Sequence, residues 1–307
     1  MPWVTCSAAV ASTNGPCGVH EHLMSRGDLT QPERDRAQHA LALDFLKAGL
    51  LDRAEVALRR LEGTSFEDEA RLALLSIYER SRDWANATDI AGRLGHSSQG
   101  SFSTRQAHYL CEQASASAAA GDTAGAGAAL LQAVAMAPDA ARPLIDLAKW
   151  QNQSGDAAAA FQTLMTLDKT SPQNLPLAAS LLANVATSLG QHTTAQTLLQ
   201  AAYARTPSMD LLEAIIRLDP SPDAARQWYA QHLGQHTSLV AATRWMAGQT
   251  QPDPDIHALI QRALDQATKP LMRYRCAACG FEATQHFWHC PGCQAWDSYP
   301  ARRVEEL

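Results

Sequence analysis

Four cysteines near the C-terminus have the type and spacing of a metal site. Cys276 and Cys279 form one Cys-x-x-Cys pair, Cys290 and Cys293 form another, and ten residues lie between the pairs. Each pair turns the backbone so that two thiolates face one cation, and two such turns close a tetrahedral set of four sulfurs. Gly280 after the first pair and Gly292 inside the second are expected to supply the tight-turn geometry, with Pro291 stiffening the second turn. Zinc and iron both accept four thiolates, so the pattern predicts one Fe or Zn ion in a four-cysteine site without choosing between them. Redox chemistry at a Cys-x-x-Cys pair needs that pair at the start of a helix in a thioredoxin-like unit, a context these pairs lack. His286 and His289 lie close by, but four thiolates already fill a tetrahedral shell, so a solvated or supporting role is expected for both.

A disulfide framework would require an oxidising compartment. The N-terminus has no basic segment and no long apolar run, so it does not read as a secretory signal. The total of seven cysteines is odd, which suits a reducing compartment. Of the other three, Cys6 and Cys17 fall in the first 19 residues, and Cys111 is expected to be a small apolar residue buried in a helix.

A metal module this small cannot bury a core of its own. Tyr274, Phe281, Phe287, Trp288, Trp296 and Tyr299 crowd around it in a chain that is only 6% aromatic, so several of these rings are expected to pack on the preceding helices. Arg273, Arg275, Arg302 and Arg303 are offset by Glu282, Asp297, Glu305 and Glu306. The whole chain, with 25 basic and 31 acidic side chains in 307 residues, carries a net charge of −6. No basic field is available for a phosphate backbone, which argues against nucleic-acid binding.

What precedes the module is a repeat. Gly121, Ala126 and Pro138 stand at offsets of five and seventeen residues, and the same offsets join Gly155, Ala160 and Pro172, then Gly190, Ala195 and Pro207. The layout describes two antiparallel helices per unit. Glycine ends the first helix in left-handed backbone, alanine lets the second approach closely, and proline ends the second. Leu130, Leu164 and Leu199 follow each alanine by one helical turn. The period of 34 to 35 residues resembles the tetratricopeptide repeat.

Phe45 and Tyr78 occupy the aromatic position of that repeat, whereas Gln151 and Ala186 stand there in later units. Two upstream units are looser, with Gly49 and Ala54, then Arg82 and Ala87, and no closing proline. The polar insert at 95–104 predicts a hinge. Two further helix pairs follow Pro207, giving seven pairs over about 33–268. The fold expected is therefore all-α, a tetratricopeptide-repeat α-solenoid followed by the small metal module. The inner helices of such an array commonly hold a partner.

No window is apolar enough to cross a bilayer. No Gly-rich phosphate loop, HExxH or nucleophile elbow is present, so no catalytic residue is expected.

A tetratricopeptide array that ends in YRCAACGF and then WHCPGCQAW resembles the lipopolysaccharide assembly protein B family. The likeness covers about residues 20–307, including HEHLM, GLLDRAE and YERSRDWANATDIAGRL. It implies a rubredoxin-like cysteine module docked on the repeats, with Cys276, Cys279, Cys290 and Cys293 as metal ligands. It also implies a non-enzymatic scaffold at the cytoplasmic face of the bacterial inner membrane, presenting the deacetylase LpxC to the membrane protease FtsH among other lipopolysaccharide-assembly factors. That family begins with a membrane-spanning helix and early repeats, and neither is found here. The chain is accordingly expected to be N-terminally truncated and soluble as written. The expected divisions are a non-family leader over 1–19, the solenoid over 20–268 and the metal module over 269–307. Two other readings fit the residues: a rubredoxin-like electron carrier, since an iron bound by four sulfurs cycles one electron, and a nucleic-acid-binding zinc ribbon on a solenoid scaffold.

Overall fold

The computed structural model describes residues 16–26, 28–94, 102–219, 221–248 and 254–307. Cys6 and most of the leader, together with 95–101 of the polar insert, lie outside them. The chain divides into two compact units, Met1–Gln113 and Ala114–Leu307. That division falls beyond the polar insert rather than in it.

Helix α1 (Pro16–Ser25) precedes seven helix pairs among the described residues. These are α2 (Gln31–Lys47) with α3 (Leu51–Arg59), α4 (Glu67–Ser81) with α5 (Trp84–Leu94), α6 (Ser103–Ala119) with α7 (Thr123–Met136), and α8 (Ala141–Gln153) with α9 (Ala157–Thr170). Then come α10 (Ala179–Leu189) with α11 (His192–Arg205), α12 (Met209–Leu218) with α13 (Pro222–Gln235), and α14 (Leu239–Ala247) with α15 (Pro254–Thr268). None of these helices is long and apolar enough to cross a membrane.

In the first unit, α2 packs on α3 and α4 on α5, with α3 against α4. Ala54 and Ala87, the small residues of the second helices, are completely buried, which is the close approach their spacing predicts. Phe45 and Tyr78 are buried beside them. Gly49 adopts the expected positive φ, and Arg82 takes the same left-handed conformation at φ 58° where a glycine would serve. A side chain in that conformation is strained. Arg82→Gly is therefore expected to stabilise the first unit by about 1 kcal/mol, seen as a higher urea midpoint at unchanged slope. A lower midpoint would show that the arginine is not strained.

The second unit repeats the scheme with better-formed turns. Gly121, Gly155 and Gly190 all have positive φ. The aspartates after the first two cap the next helix, Asp122 accepting from Gly125 N–H at 2.8 Å and Asp156 from Ala159 N–H at 2.9 Å. Ala160 and Ala195 are fully buried with Leu164 and Leu199 in one continuous core that runs from α8 to α14. At the aromatic position Gln151 instead accepts a hydrogen bond from Thr163 Oγ1 at 2.8 Å, and Ala186 is simply buried.

One segment departs from the repeat. Pro172 and Pro176 cannot donate to an α-helical ladder, so the approach to α10 is a 3-10 turn over Pro172–Ala178. It buries Leu175 and leaves Leu177 half-exposed on the side that meets the cysteine module. Cys111 is buried in α6, as expected.

Candidate metal centre

The module begins with strand β1 (Tyr274–Arg275), which pairs antiparallel with β2 (Glu282–Ala283), Tyr274 opposite Ala283 and Arg275 opposite Glu282. The first cysteine pair occupies the loop between them. A second turn of the same length is closed by a bridge between His289 and Trp296 and carries the other pair.

The two turns have the same internal geometry. Gly280 N–H donates to Cys276 O and Gln294 N–H donates to Cys290 O, both at 2.8 Å. Each turn ends with a left-handed residue, Gly280 at φ 77° and Gln294 at φ 60°. The sequence expectation for Gly292 is thus corrected. The residue that reverses the second turn is Gln294, four after Cys290, just as Gly280 is four after Cys276. Gly292 has no positive φ, and a Cβ there would make only ordinary van der Waals contact with Phe281 at 3.4 Å, so neither backbone nor packing requires glycine at this position.

The four sulfurs converge. All lie within 4.8 Å of one another, with Cys276 Sγ 3.8 Å from Cys293 Sγ and Cys279 Sγ 3.7 Å from Cys290 Sγ. A tetrahedron with metal–sulfur bonds of about 2.3 Å has edges of about 3.8 Å. A disulfide would bring two sulfurs to about 2.0 Å, far closer than any pair here. The donor set and its spacing therefore fit one four-coordinate ion that prefers thiolate.

The electrostatics point the same way. Burial opposes ionisation of Cys276, but Ser298 and the amides of Cys279 and Ala278 overcome it and bring the thiol down to about 6. Ser298 Oγ lies 3.2 Å from that sulfur. Cys290 is likewise lowered, against burial, by the amides of Cys293 and Gly292. At Cys279 the Phe281 amide favours the thiolate, yet desolvation and the neighbouring sulfurs win and push it up to about 12. Crowded thiols of this kind cannot all ionise without a cation among them. Cys276 and Cys290 are buried, while Cys279 and Cys293 face solvent.

The histidines are not ligands. His286 Nε2 donates to Tyr299 O at 3.0 Å, and its ring sits among Tyr274, Trp288 and Tyr299. His289 stacks on Trp296 at 4.3 Å. Burial holds His286 below its ordinary value of 6.5, and burial together with the nearby His236 does the same for His232, which shares a 2.5 Å hydrogen bond with Tyr203. Both groups take up protons less readily in the folded chain than in the unfolded one, so stability falls as pH drops below about 6.5. We expect a lower urea midpoint at pH 5.5 than at pH 7.5, with the difference reduced in His286→Gln. Equal midpoints would contradict this assignment.

The aromatic rings dock the module on the preceding helices as expected. Tyr274 and Tyr299 are buried with Cys276 and Cys290 against Leu177, and Trp288 joins the core of the second unit. Phe281 remains 43% exposed beside the sulfurs. Arg303 makes the strongest polar tie, with Nε and Nη2 on the two oxygens of Asp210 at 2.9 and 2.8 Å, Nη1 donating to Met272 O at 2.7 Å, and its guanidinium 4.1 Å above the Tyr274 ring. Two tail carboxylates complete the contact. Glu306 accepts from Met209 N–H at 2.7 Å, and Glu305 accepts from Leu239 N–H and Val240 N–H at 2.6 and 3.0 Å. The sequence pattern marks none of these three residues, because their partners lie 65 to 97 positions away.

Residues 274–299 match the model of a rubredoxin metal binding domain, and residues 117–185 match a tetratricopeptide repeat. Lipopolysaccharide assembly protein B of Escherichia coli K12 aligns at 27% identity over 299 residues, 94% of this chain and 77% of the relative. This chain is similar to lipopolysaccharide assembly protein B. The assembly protein B of Haemophilus influenzae aligns at 24% identity over 289 residues, 91% of this chain and 73% of its own. Among solved structures, pilF of Pseudomonas aeruginosa aligns at 19% identity over 71% of this chain and 99% of its own, with a TM-score of 0.37, too low to carry an inference. The likeness to assembly protein B spans the repeats and the cysteine module together, and the fold agrees: tetratricopeptide-type helices ending in a compact four-cysteine ribbon.

Proposed function

We propose that this chain is a non-enzymatic adaptor in lipopolysaccharide assembly, in which the repeats hold protein partners and the cysteine module binds one Fe or Zn ion through Cys276, Cys279, Cys290 and Cys293. The observation that carries the reading is the alignment with relatives named for that assembly over 94% of the chain, combined with four sulfurs spaced for a tetrahedral ion. When bound, the ion crosslinks the two turns. The chain's own groups do the rest: amide and Ser298 donors favour the thiolates, and Arg303 with the tail carboxylates ties the module to α12 and α14.

In this reading the module occupies 269–307 and the repeats 20–268, and the adaptor works at the cytoplasmic face of the inner membrane. Its partners are an LpxC-like deacetylase and an FtsH-like protease, brought together so that lipopolysaccharide output stays in balance. Depletion is expected to raise lipopolysaccharide per cell, with rescue by the wild-type chain and not by Cys276→Ser. An unchanged lipopolysaccharide content after depletion would sink the proposal.

A second reading has one observation in its favour. Cys279 and Cys293 are exposed, which brings a bound iron within reach of a redox partner. A sample that holds only zinc, or iron that never cycles between oxidation states, rules that electron carrier out.

A further inference from the structure

The tail that leaves the cysteine module ends on two helix N-termini. Glu305 Oε1 takes the Leu239 and Val240 amides, the first of α14, while its Oε2 accepts from Ser238 Oγ at 2.9 Å. Glu306 Oε1 takes the Met209 amide, the first of α12, while its Oε2 accepts from Arg303 N–H at 2.9 Å. First-turn amides have no partner within their own helix, and they sit at the positive end of its dipole. Carboxylates from a distant part of the chain fill both positions here.

What holds the tail in place belongs largely to the module. Ala277 N–H, inside the first cysteine turn, donates to Ser298 O at 2.7 Å, and Tyr299 OH donates to Phe281 O at 3.1 Å. Further on, Val304 N–H donates to Arg273 O at 2.8 Å and Glu305 N–H to Leu271 O at 3.2 Å. The route to α12 and α14 is therefore set by the path of the two cysteine turns. Those turns have two strands of two residues each and four crowded thiols, too little to hold their form without a crosslink.

We propose that Arg303, Glu305 and Glu306 form a metal-dependent latch: occupancy of the four-cysteine site holds the two carboxylates on α12 and α14, and loss of the ion frees the first amides of both helices, which Ser208 and Ser238 leave uncapped. The latch rests on the reading of the four cysteines as ligands. Release also opens the cleft of about 350 Å³ that the tail borders with Pro207, His232, His236 and Thr237. The module then reports its metal state to the end of the repeat array, where two helices that keep their own serine caps, Ser208 and Ser238, gain or lose the carboxylates on their first amides together.

Hydrogen exchange on the full chain tests this, with metal content measured on the same samples. On chelation we expect the amides of Met209, Leu239 and Val240 to exchange at least about tenfold faster, while those of Leu164 and Leu182 in the core stay slow. In a metal-loaded Glu305→Ala, Glu306→Ala double variant, the same three amides should exchange fast while the ion remains bound. Slow exchange at those amides after verified metal loss overturns the latch, as does slow exchange in the double variant. A chain that takes up no metal overturns the ligand reading instead, and with it the metal dependence of the latch.

Discussion

Cys276→Ser or Cys290→Ser is expected to abolish stoichiometric metal binding and to unfold the C-terminal module. These two cysteines are buried at 1% and 0% exposure, each opening one turn. Serine offers a poor ligand, and it leaves three thiols packed without the charge that would let them ionise. Structural zinc supplies about 10–16 kcal/mol of apparent folding free energy in small metal peptides, so a module with so little secondary structure should not survive the loss. Metal analysis and thermal melts with and without chelator check this. Chelator should lower the midpoint of the wild type and leave the variants unmoved. Equal stability of the wild type in both conditions would contradict it. Serine at the solvent-facing Cys279 or Cys293 should cost less, because water can satisfy the new hydroxyl.

The second large effect is expected at Arg303. Its ion pair with Asp210 is largely buried, at 16% and 19% side-chain exposure, and it is bidentate. Removing one partner of a buried pair costs about 3–5 kcal/mol because the other charge is left without compensation, and the partial exposure here points to the lower end of that range. Arg303→Ala should therefore destabilise the second unit by about 3 kcal/mol. The double replacement Arg303→Leu, Asp210→Leu should recover most of that loss, since no charge remains to be buried. Urea unfolding of the wild type, Arg303→Leu, Asp210→Leu and the double variant measures the coupling directly. A double variant as unstable as the sum of the singles would show that the two groups act independently.

The parts of this molecule that were legible in the sequence are those whose physics is local. Glycine at positive φ, alanine at a close helix crossing and proline at a helix end act within one repeat, so Gly155, Ala160 and Pro172 announce a helix pair on their own. Two Cys-x-x-Cys turns are equally local, and their four sulfurs do meet. The reversal at Gln294 was not legible, because the surrounding turn holds a side chain in left-handed backbone where glycine is the usual occupant, and Gly292 was the more obvious choice. The 3-10 start at Pro172 could have been suspected from its two prolines, but its role in presenting Leu177 to the module depends on packing. Arg303, Glu305 and Glu306 looked like a balanced charge cluster. Their partners are backbone amides and a carboxylate far away in the chain, and no spacing rule reaches that distance.

The half-life of the LpxC-like deacetylase in cells depleted of this protein is the most direct test of the adaptor reading. If the repeats and the metal module act together to present that enzyme for proteolysis, depletion should lengthen its half-life several-fold, and restoring the wild-type chain should shorten it again. A half-life that does not change on depletion would contradict the account.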